Sequence, residues 1–526
     1  MPYTLLLSCV AAGVVWVLAT PLRTGLWRFP GPWWRRYTDL FQVLDAYYER
    51  TRSSIQQLHA EYGPVVLVGP RTLLFSDPAM VDKVYANRSP LPKSHHFAPM
   101  RHEINNVVYP NILSMETTQD HATIKRPIAG IYSMSNVTKS ERFIDECILQ
   151  FVHQLDLDFI SKGKTLPVYQ WAHFWAYDTV MKLTASADFG LVRGEADREG
   201  MFRGMHEAQK FRAMVICMPW TYPFLKRSPM AKLIVKRLGS FPRRARELIQ
   251  ARRMKGVSTT KAHDREDLLD QLLQTKEKFP ETVDELVLHG YATTPLFAGG
   301  ESVASLVTAV IYFVGKHPAV AVKLHEELQS SRLQMPPQWA EVQKMAYLEA
   351  VIHETFRCLP LGAALSRRAI PPGRDFILKD GRRVPSGTSV AMFALMTHFN
   401  QDVYGPDAHE FRPERWFIEP GESQDEYAER LRWMNKADLT WGQGDRACMG
   451  KNIARCEIYK LVATLYSTFD IQLVDPDKEW KLRESLAVRP EGVEATLRFR
   501  PGASLDQLRS AKSEKDAPAS QPTPMA

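Results

Sequence analysis

The stretch Trp441-Gly442-Gln443-Gly444-Asp445-Arg446-Ala447-Cys448-Met449-Gly450 sets one cysteine in a glycine-rich turn. The apolar positions that follow, Ile453, Ala454, Ile458, Leu461, Val462, Leu465 and Tyr466, repeat at helical spacing. Glycines at 442, 444 and 450 let the backbone fold tightly and aim its amides at a single sulfur. A helix starting near Gly450 adds positive partial charge at the same atom, a setting that favours a thiolate able to ligate a metal. A lone cysteine is more often a packing residue. The neighbouring motifs therefore decide the reading.

Four further segments stand out upstream. In Val351-Ile352-His353-Glu354-Thr355-Phe356-Arg357 an acid and an arginine lie three apart on one helical face. Phe411-Arg412-Pro413-Glu414-Arg415-Trp416 follows after some 55 residues. From Leu286 to Val314 the chain is apolar enough to be a buried helix, and it contains Pro295 and the run Ala298-Gly299-Gly300-Glu301-Ser302. Two glycines inside a buried helix are costly, so something must approach the backbone there. Finally, His121-Ala122-Thr123-Ile124-Lys125-Arg126 puts two basic groups four apart on one face.

Taken together these segments resemble the cytochrome P450 superfamily over essentially the whole chain after residue 22. The cysteine loop matches the family signature with Trp441 where Phe is usual, and the groove run matches it with Ser302 where Thr is usual. The resemblance implies a mostly α (α+β) fold, a helical body with small β-sheets. It implies haem b ligated by the Cys448 thiolate, with Arg446, His121 and Lys125 toward the haem propionates. Arg367 and Arg368 open a predicted strand, Ser366 to Ile370, and alternation turns only one of them to the ring; Arg368 is the nominee. By the same resemblance Glu354, Arg357 and Arg415 form a structural brace under the cysteine loop. Glu301 and Ser302 are the expected proton-delivery residues, the serine keeping the hydroxyl but not the methyl.

The implied reaction is insertion of one oxygen atom of O2 into a lipophilic small molecule, with electrons from NADPH through NADPH-cytochrome P450 reductase. Substrate contacts are expected from His95 to Asp120, Phe211 to Leu225, the groove helix, Leu359 to Leu365 and Ser485 to Val488. Phrases such as Leu58-His59-Ala60-Glu61-Tyr62-Gly63-Pro64-Val65-Val66 look like membrane-bound members from filamentous fungi that tailor secondary metabolites, similar to the pisatin demethylase-like group. Two rivals are a haem-thiolate isomerase or dehydratase that needs no reductase, and a non-catalytic haem-binding sensor.

Met1 to Leu22 carries no charged side chain, and Tyr3 to Thr20 is nearly all apolar. Arg23, Arg28, Arg35 and Arg36 follow before the first acid, Asp39, which predicts an uncleaved single-pass anchor with the body on the cytosolic face of the endoplasmic reticulum membrane. The expected organisation is an anchor (1–22), a basic, proline-containing hinge segment (23–60), a haem-thiolate domain (61–500) and a disordered tail (501–526). The 526 residues are 45% hydrophobic and 24% charged, ordinary globular values. The net charge of +8 is dispersed among acids, which argues against a nucleic-acid partner. The six cysteines are scattered, with no Cys-x-x-Cys pair, so neither a disulfide framework nor a zinc ribbon is expected.

Overall fold

The computed structural model describes residues 2–88, 90–104, 107–187, 189–194, 205–225, 227–228, 240–254, 267–362 and 366–503. The helices that bear on function are α1 (Pro2–Leu18), α2 (Leu40–Tyr47), α3 (Thr118–Lys125), α4 (Val168–Ala185), α5 (Met205–Cys217), α6 (Glu285–Lys316), α7 (Ala346–Cys358) and α8 (Lys451–Thr468). The main sheet is built from β1 (Val65–Gly69), β2 (Thr72–Phe75), β3 (Arg368–Ala369) and β4 (Ser389–Met392), in the order β1-β2-β4-β3. β2 runs parallel to β4, with Thr72 opposite Ser389, and the other two pairings are antiparallel. A hairpin of β5 (Lys481–Glu484) and β6 (Val488–Glu491) completes the set.

The predicted groove helix is realised as α6, capped at its start by the Asp284 carboxylate, which accepts from the Val287 N–H at 2.8 Å. It is long and apolar enough to cross a membrane, yet most of it is buried in the body, where its all-round apolar surface packs into two of the core clusters. The glycine pair answers to the close approach of another helix. A Cβ on Gly299 would press on Val180, and one on Gly300 would strike the Tyr177 ring, so the pair lets α4 lie close against α6.

α1 differs from α6 in exposing its apolar side chains, among them Val14, Val15, Trp16 and Leu18. The segment expected as a hinge, by contrast, is largely built into the body. Leu26 and Phe29 are buried in the core beneath the main sheet, and the Leu67 N–H donates to the Pro30 carbonyl at 2.7 Å. Arg35 is buried in an ion pair with Asp45 at 2.5 Å. The apolar residues and the buried ion pair carry this stretch inward. The predicted strand from Ser366 is shorter than expected, β3 holding two residues. The tail read from residue 501 lies outside the described residues after Ala503.

Candidate active site

The cysteine loop folds as its glycines require. Gly442 and Gly444 take φ of 65° and 75°, and a Cβ on Gly444 would collide with the Tyr85 carbonyl oxygen. The Cys448 N–H donates to the Trp441 carbonyl at 2.7 Å, closing the turn. The sulfur accepts from the backbone N–H groups of Gly450 and Lys451, at the start of α8. Burial raises the thiol, and these two donors with the Lys451 charge pull the other way. The Cys448 side chain presents accessible surface. Cys456, eight residues on, is fully buried in α8 as a packing residue.

Beneath the loop lies the brace. Glu354 accepts from Arg357 Nε and Nη2 at 2.9 and 2.7 Å, from Arg415 Nε at 2.8 Å, from Trp416 Nε1 at 3.0 Å and from the Arg412 N–H at 3.0 Å. All three charged side chains are buried. One carboxylate held by two guanidinium groups is rigid because each remaining N–H also has an assigned place: Arg357 Nη1 reaches the His398 carbonyl at 2.8 Å, and Arg415 Nη1 the Tyr404 carbonyl at 2.7 Å. His398, which no sequence signal marked, carries the brace to the loop. Its Nδ1–H donates to the Arg357 carbonyl at 3.0 Å and its Nε2 accepts from the Leu439 N–H at 2.8 Å, a neutral tautomer consistent with burial lowering its pKa. The Phe356 ring meets Trp441 edge to face at 5.4 Å.

On the other side of the loop the structure gathers cations. Arg446, Arg368, His121 and Lys125 come together as a group, joined by Lys93, whose isolated place in the sequence offered no signal. Burial pushes Lys93 well below its ordinary value, with Arg446 and Arg368 adding to the effect. It holds Arg446 down at about 10, and His121, pressed also by Arg446, Lys125, Lys93 and Arg368, at about 3. Among the described residues Asp445 is the one carboxylate that acts on Lys93, Arg368 and Arg446. Most of the side-chain N–H groups go to carbonyls: Arg446 Nη1 donates to Met115 at 2.6 Å, Lys125 to the Asp445 carbonyl at 2.7 Å and Lys93 to Leu113 at 2.5 Å. Arg446 Nε, which is buried, lies in an ion pair with Asp445 Oδ2 at 3.3 Å rather than in an aligned hydrogen bond. Arg367 turns the opposite way, donating from Nη2 to Gln42 Oε1 at 2.9 Å, as strand alternation requires.

The groove residues divide as well. Ser302 Oγ donates to the Ala298 carbonyl at 2.8 Å, one turn back along α6. Glu301 points away from it, buried, and accepts from Gln209 Nε2 of α5. Burial raises its carboxyl, against the pull of Gln209 and Arg489. Gln209 and Arg489 were not predicted. Around the groove, Phe97, Met100, Ile216 and Leu486 form an apolar cluster with Leu113, Ala213 and Phe297. These come from the segments expected to contact substrate; residues 363–365 of the Leu359 to Leu365 segment lie outside the described residues.

A tuned sulfur at a helix start, a braced loop beneath it and a cationic group beside it match a known design, and the family model for cytochrome P450 matches residues 29–497. The chain belongs to the cytochrome P450 family. It is 34% identical over 454 residues to cytochrome P450 monooxygenase cfoH of Aspergillus candidus, covering 85% of this chain and 84% of that one. It is 30% identical over 499 residues to cytochrome P450 monooxygenase cicH of Emericella nidulans, covering 93% and 97%. With vrtE of Penicillium aethiopicum the identity is 26% over 501 residues, covering 94% and 93%. Membership implies a haem-thiolate cofactor, and the residues present fit one. Cys448 offers a sulfur already hydrogen-bonded by two amides, and the buried cations, short of carboxylates, suit a ligand that brings two.

Proposed function

We propose that this P450 is a monooxygenase that inserts one oxygen atom of O2 into a lipophilic small molecule, as a tailoring step of fungal secondary metabolism. The names of the relatives, all cytochrome P450 monooxygenases from filamentous fungi, support this reading. The observation that carries it is the Cys448 sulfur, held at the start of α8 by the Gly450 and Lys451 amides. Haem b is the proposed cofactor, with Cys448 its ligand and Arg368, Arg446, His121, Lys125 and Lys93 around its propionates. When bound, the haem supplies activation of O2 with electrons delivered by NADPH-cytochrome P450 reductase.

The chain's own residues then have distinct tasks. The two amides at Cys448 hold the ligand sulfur's orientation and temper its donor strength. The Ser302 hydroxyl, on the groove side of α6, holds and passes a proton through water, while Glu301, turned toward Gln209, sits behind it as a buried acid whose pKa burial raises. The apolar cluster around Phe97, Ile216 and Leu486 orients the substrate and excludes bulk water. α1, with its exposed apolar side chains, is the proposed anchor in the endoplasmic reticulum membrane, body to the cytosol.

The deciding experiment is the reduced, carbon monoxide-bound spectrum of purified protein. The far-shifted Soret band of a thiolate ligand is expected in the parent and absent in Cys448→Ser; its survival in that variant overturns the assignment. For Ser302→Ala, haem content and substrate binding should stay near the parent's while peroxide released per NADPH rises several-fold, a loss of proton control of the order of 1–2 kcal/mol. Equal coupling in parent and variant would remove the hydroxyl from the relay.

A further inference from the structure

Glu301 is held from a neighbouring helix and not from its own. Its buried carboxyl accepts from Gln209 Nε2 of α5, and among the described residues no other side chain hydrogen-bonds it. Gln209 is buried as well, and its Oε1 accepts from Ser485 Oγ, in the turn between β5 and β6, at 3.1 Å. That hydroxyl also lies 3.1 Å from the Ala487 carbonyl, which keeps it within its own turn. The orientation of the amide follows from its two partners. Reversed, its oxygen would face the carboxylate, two acceptors with no proton between them, so the NH2 end lies toward Glu301.

Helical spacing places this contact. Gln209, Arg212, Ala213 and Ile216 stand at i, i+3, i+4 and i+7, on one face of α5. Ala213 and Ile216 belong to the apolar cluster that packs on Phe297, which lies one turn before Glu301 on α6. One helix face thus both meets the groove cluster and holds the acid. The other groups around the carboxyl act less directly. Arg489 of β6 acts on it by charge and spends Nη2 on Glu491 at 2.7 Å. Tyr169 and Tyr177 of α4 are kept protonated by burial, and burial lowers both His173 of α4 and His206 of α5, whose Nε2 lies 3.6 Å from Glu49. Burial raises the Glu301 carboxyl, and the Gln209 donor is the first of the groups that oppose it.

Resting on the monooxygenase reading, we infer that Gln209 is a positioning residue for proton delivery: its amide, oriented by Ser485, holds the Glu301 carboxyl on the α5 side of α6 and sets how tightly that acid keeps the proton it passes toward Ser302. The proton leaves a Glu301 oxygen for water on the groove side, and the carboxylate left behind is the form that the Gln209 N–H stabilises until solvent returns a proton. An apolar residue at 209 would leave only the Arg489 charge against burial, and the acid would keep its proton. A side chain that merely filled space there would change neither.

The test is an infrared pH titration of the full-length, haem-loaded protein, following the carbonyl stretch of the protonated Glu301 carboxyl, assigned as the band that Glu301→Gln removes. Gln209→Met, similar in size and without a donor, should raise the midpoint of that band by about one pH unit, or tenfold in proton affinity, the scale of a hydrogen bond to a charged group. Gln209→Glu should raise it further, since two carboxyls then share one proton. Ser485→Ala leaves the amide in place but unanchored; it should give a smaller rise, and it decides the matter if Gln209→Met folds poorly. The pH profile of peroxide released per NADPH oxidised, measured with reductase and no added substrate, should move in the same direction by the same amount. A midpoint that Gln209→Met leaves at the parent value overturns the inference, as does a parent with no band that Glu301→Gln removes. So does a midpoint that shifts while the peroxide profile stays, because Gln209 would then tune an acid that the reaction does not use. A parent without the thiolate Soret band, or one that oxidises no NADPH with reductase, sinks the monooxygenase reading instead, and the infrared titration still decides whether Gln209 holds the acid.

Discussion

Two buried groups of charges lie on either side of the cysteine loop, and they are built on opposite principles. Below it, Glu354, Arg357 and Arg415 satisfy one another, and their remaining N–H groups end on named backbone carbonyls. Beside it, Lys93, Arg368, Arg446, His121 and Lys125 share a single nearby carboxylate, Asp445, and burial depresses most of them. The first group is complete within the protein and can only be structural. The second is short of negative charge, which is how a protein reserves a place for an anionic ligand. The contrast separates the two groups without reference to any family, because it rests on how their charges are partnered and not on how deeply they are buried.

The largest effect should come from breaking the complete group. Arg415→Met would strand the Glu354 carboxylate opposite a single arginine, at about 3–5 kcal/mol. Urea unfolding of the apoprotein should show this loss in full, because no ligand takes part in the brace. If the loss appears only in haem-loaded protein, the brace is a binding device after all and the contrast collapses.

Legibility in the sequence followed the same division. The brace could be read because Glu354 and Arg357 stand on one helical turn and Arg415 lies in a short proline-anchored run, so local spacing encodes a long-range contact. The cysteine loop could be read because its glycines are dictated by backbone geometry. Lys93 could not, since an isolated lysine after Pro92 looks like any surface residue, and only the tertiary fold brings it to Arg446. His398 and Gln209 were silent for the same reason. Strand alternation separates Arg367 from Arg368 but cannot say which face is which, because that depends on how β3 sits against β4. The glycine pair of α6 was legible as a place of close approach, while the identity of the approaching element, α4, was not.

A third kind of buried charge sharpens the contrast. Glu457, within α8, has neither partner nor ligand: its Oε1 lacks any hydrogen bond, and burial alone raises its carboxyl to about 8. The folded protein therefore keeps a proton that the unfolded chain, with an ordinary glutamate near 4.5, has released. Stability should be highest below about pH 4.5 as far as this group is concerned, fall as pH rises toward 8, and level off above. Glu457→Gln removes that slope. Thermal unfolding should find parent and variant alike at pH 5 and the variant more stable at pH 9, by about 2 kcal/mol, less than the full shift implies because water can reach an ionised buried acid. A variant no more stable at pH 9 would mean that Glu457 has an acceptor or counter-charge when ionised.

The smallest effect is the most discriminating. Lys93→Met deletes one cation from the incomplete group while keeping a long apolar stem against the Phe97 ring, over which the ammonium lies at 4.4 Å. The hydrogen bond to the Leu113 carbonyl is lost, which costs about 1 kcal/mol. Against that loss, a buried charge is removed from the neighbourhood of Arg446 and Arg368, whose mutual repulsion is part of what depresses it. With no anion present the relief should outweigh the lost bond, and the apoprotein should be unchanged or more stable, by up to about 1 kcal/mol. With haem bound the sign should reverse, because the same charge then faces a propionate, and haem transfer to an apoglobin acceptor should run about fivefold faster than in the parent. The brace variants cannot show that reversal, since Arg415→Met is destabilising in both states. Should Lys93→Met weaken the apoprotein as Arg415→Met does, the cationic group is a second brace, and its reservation for an anion fails along with the contrast.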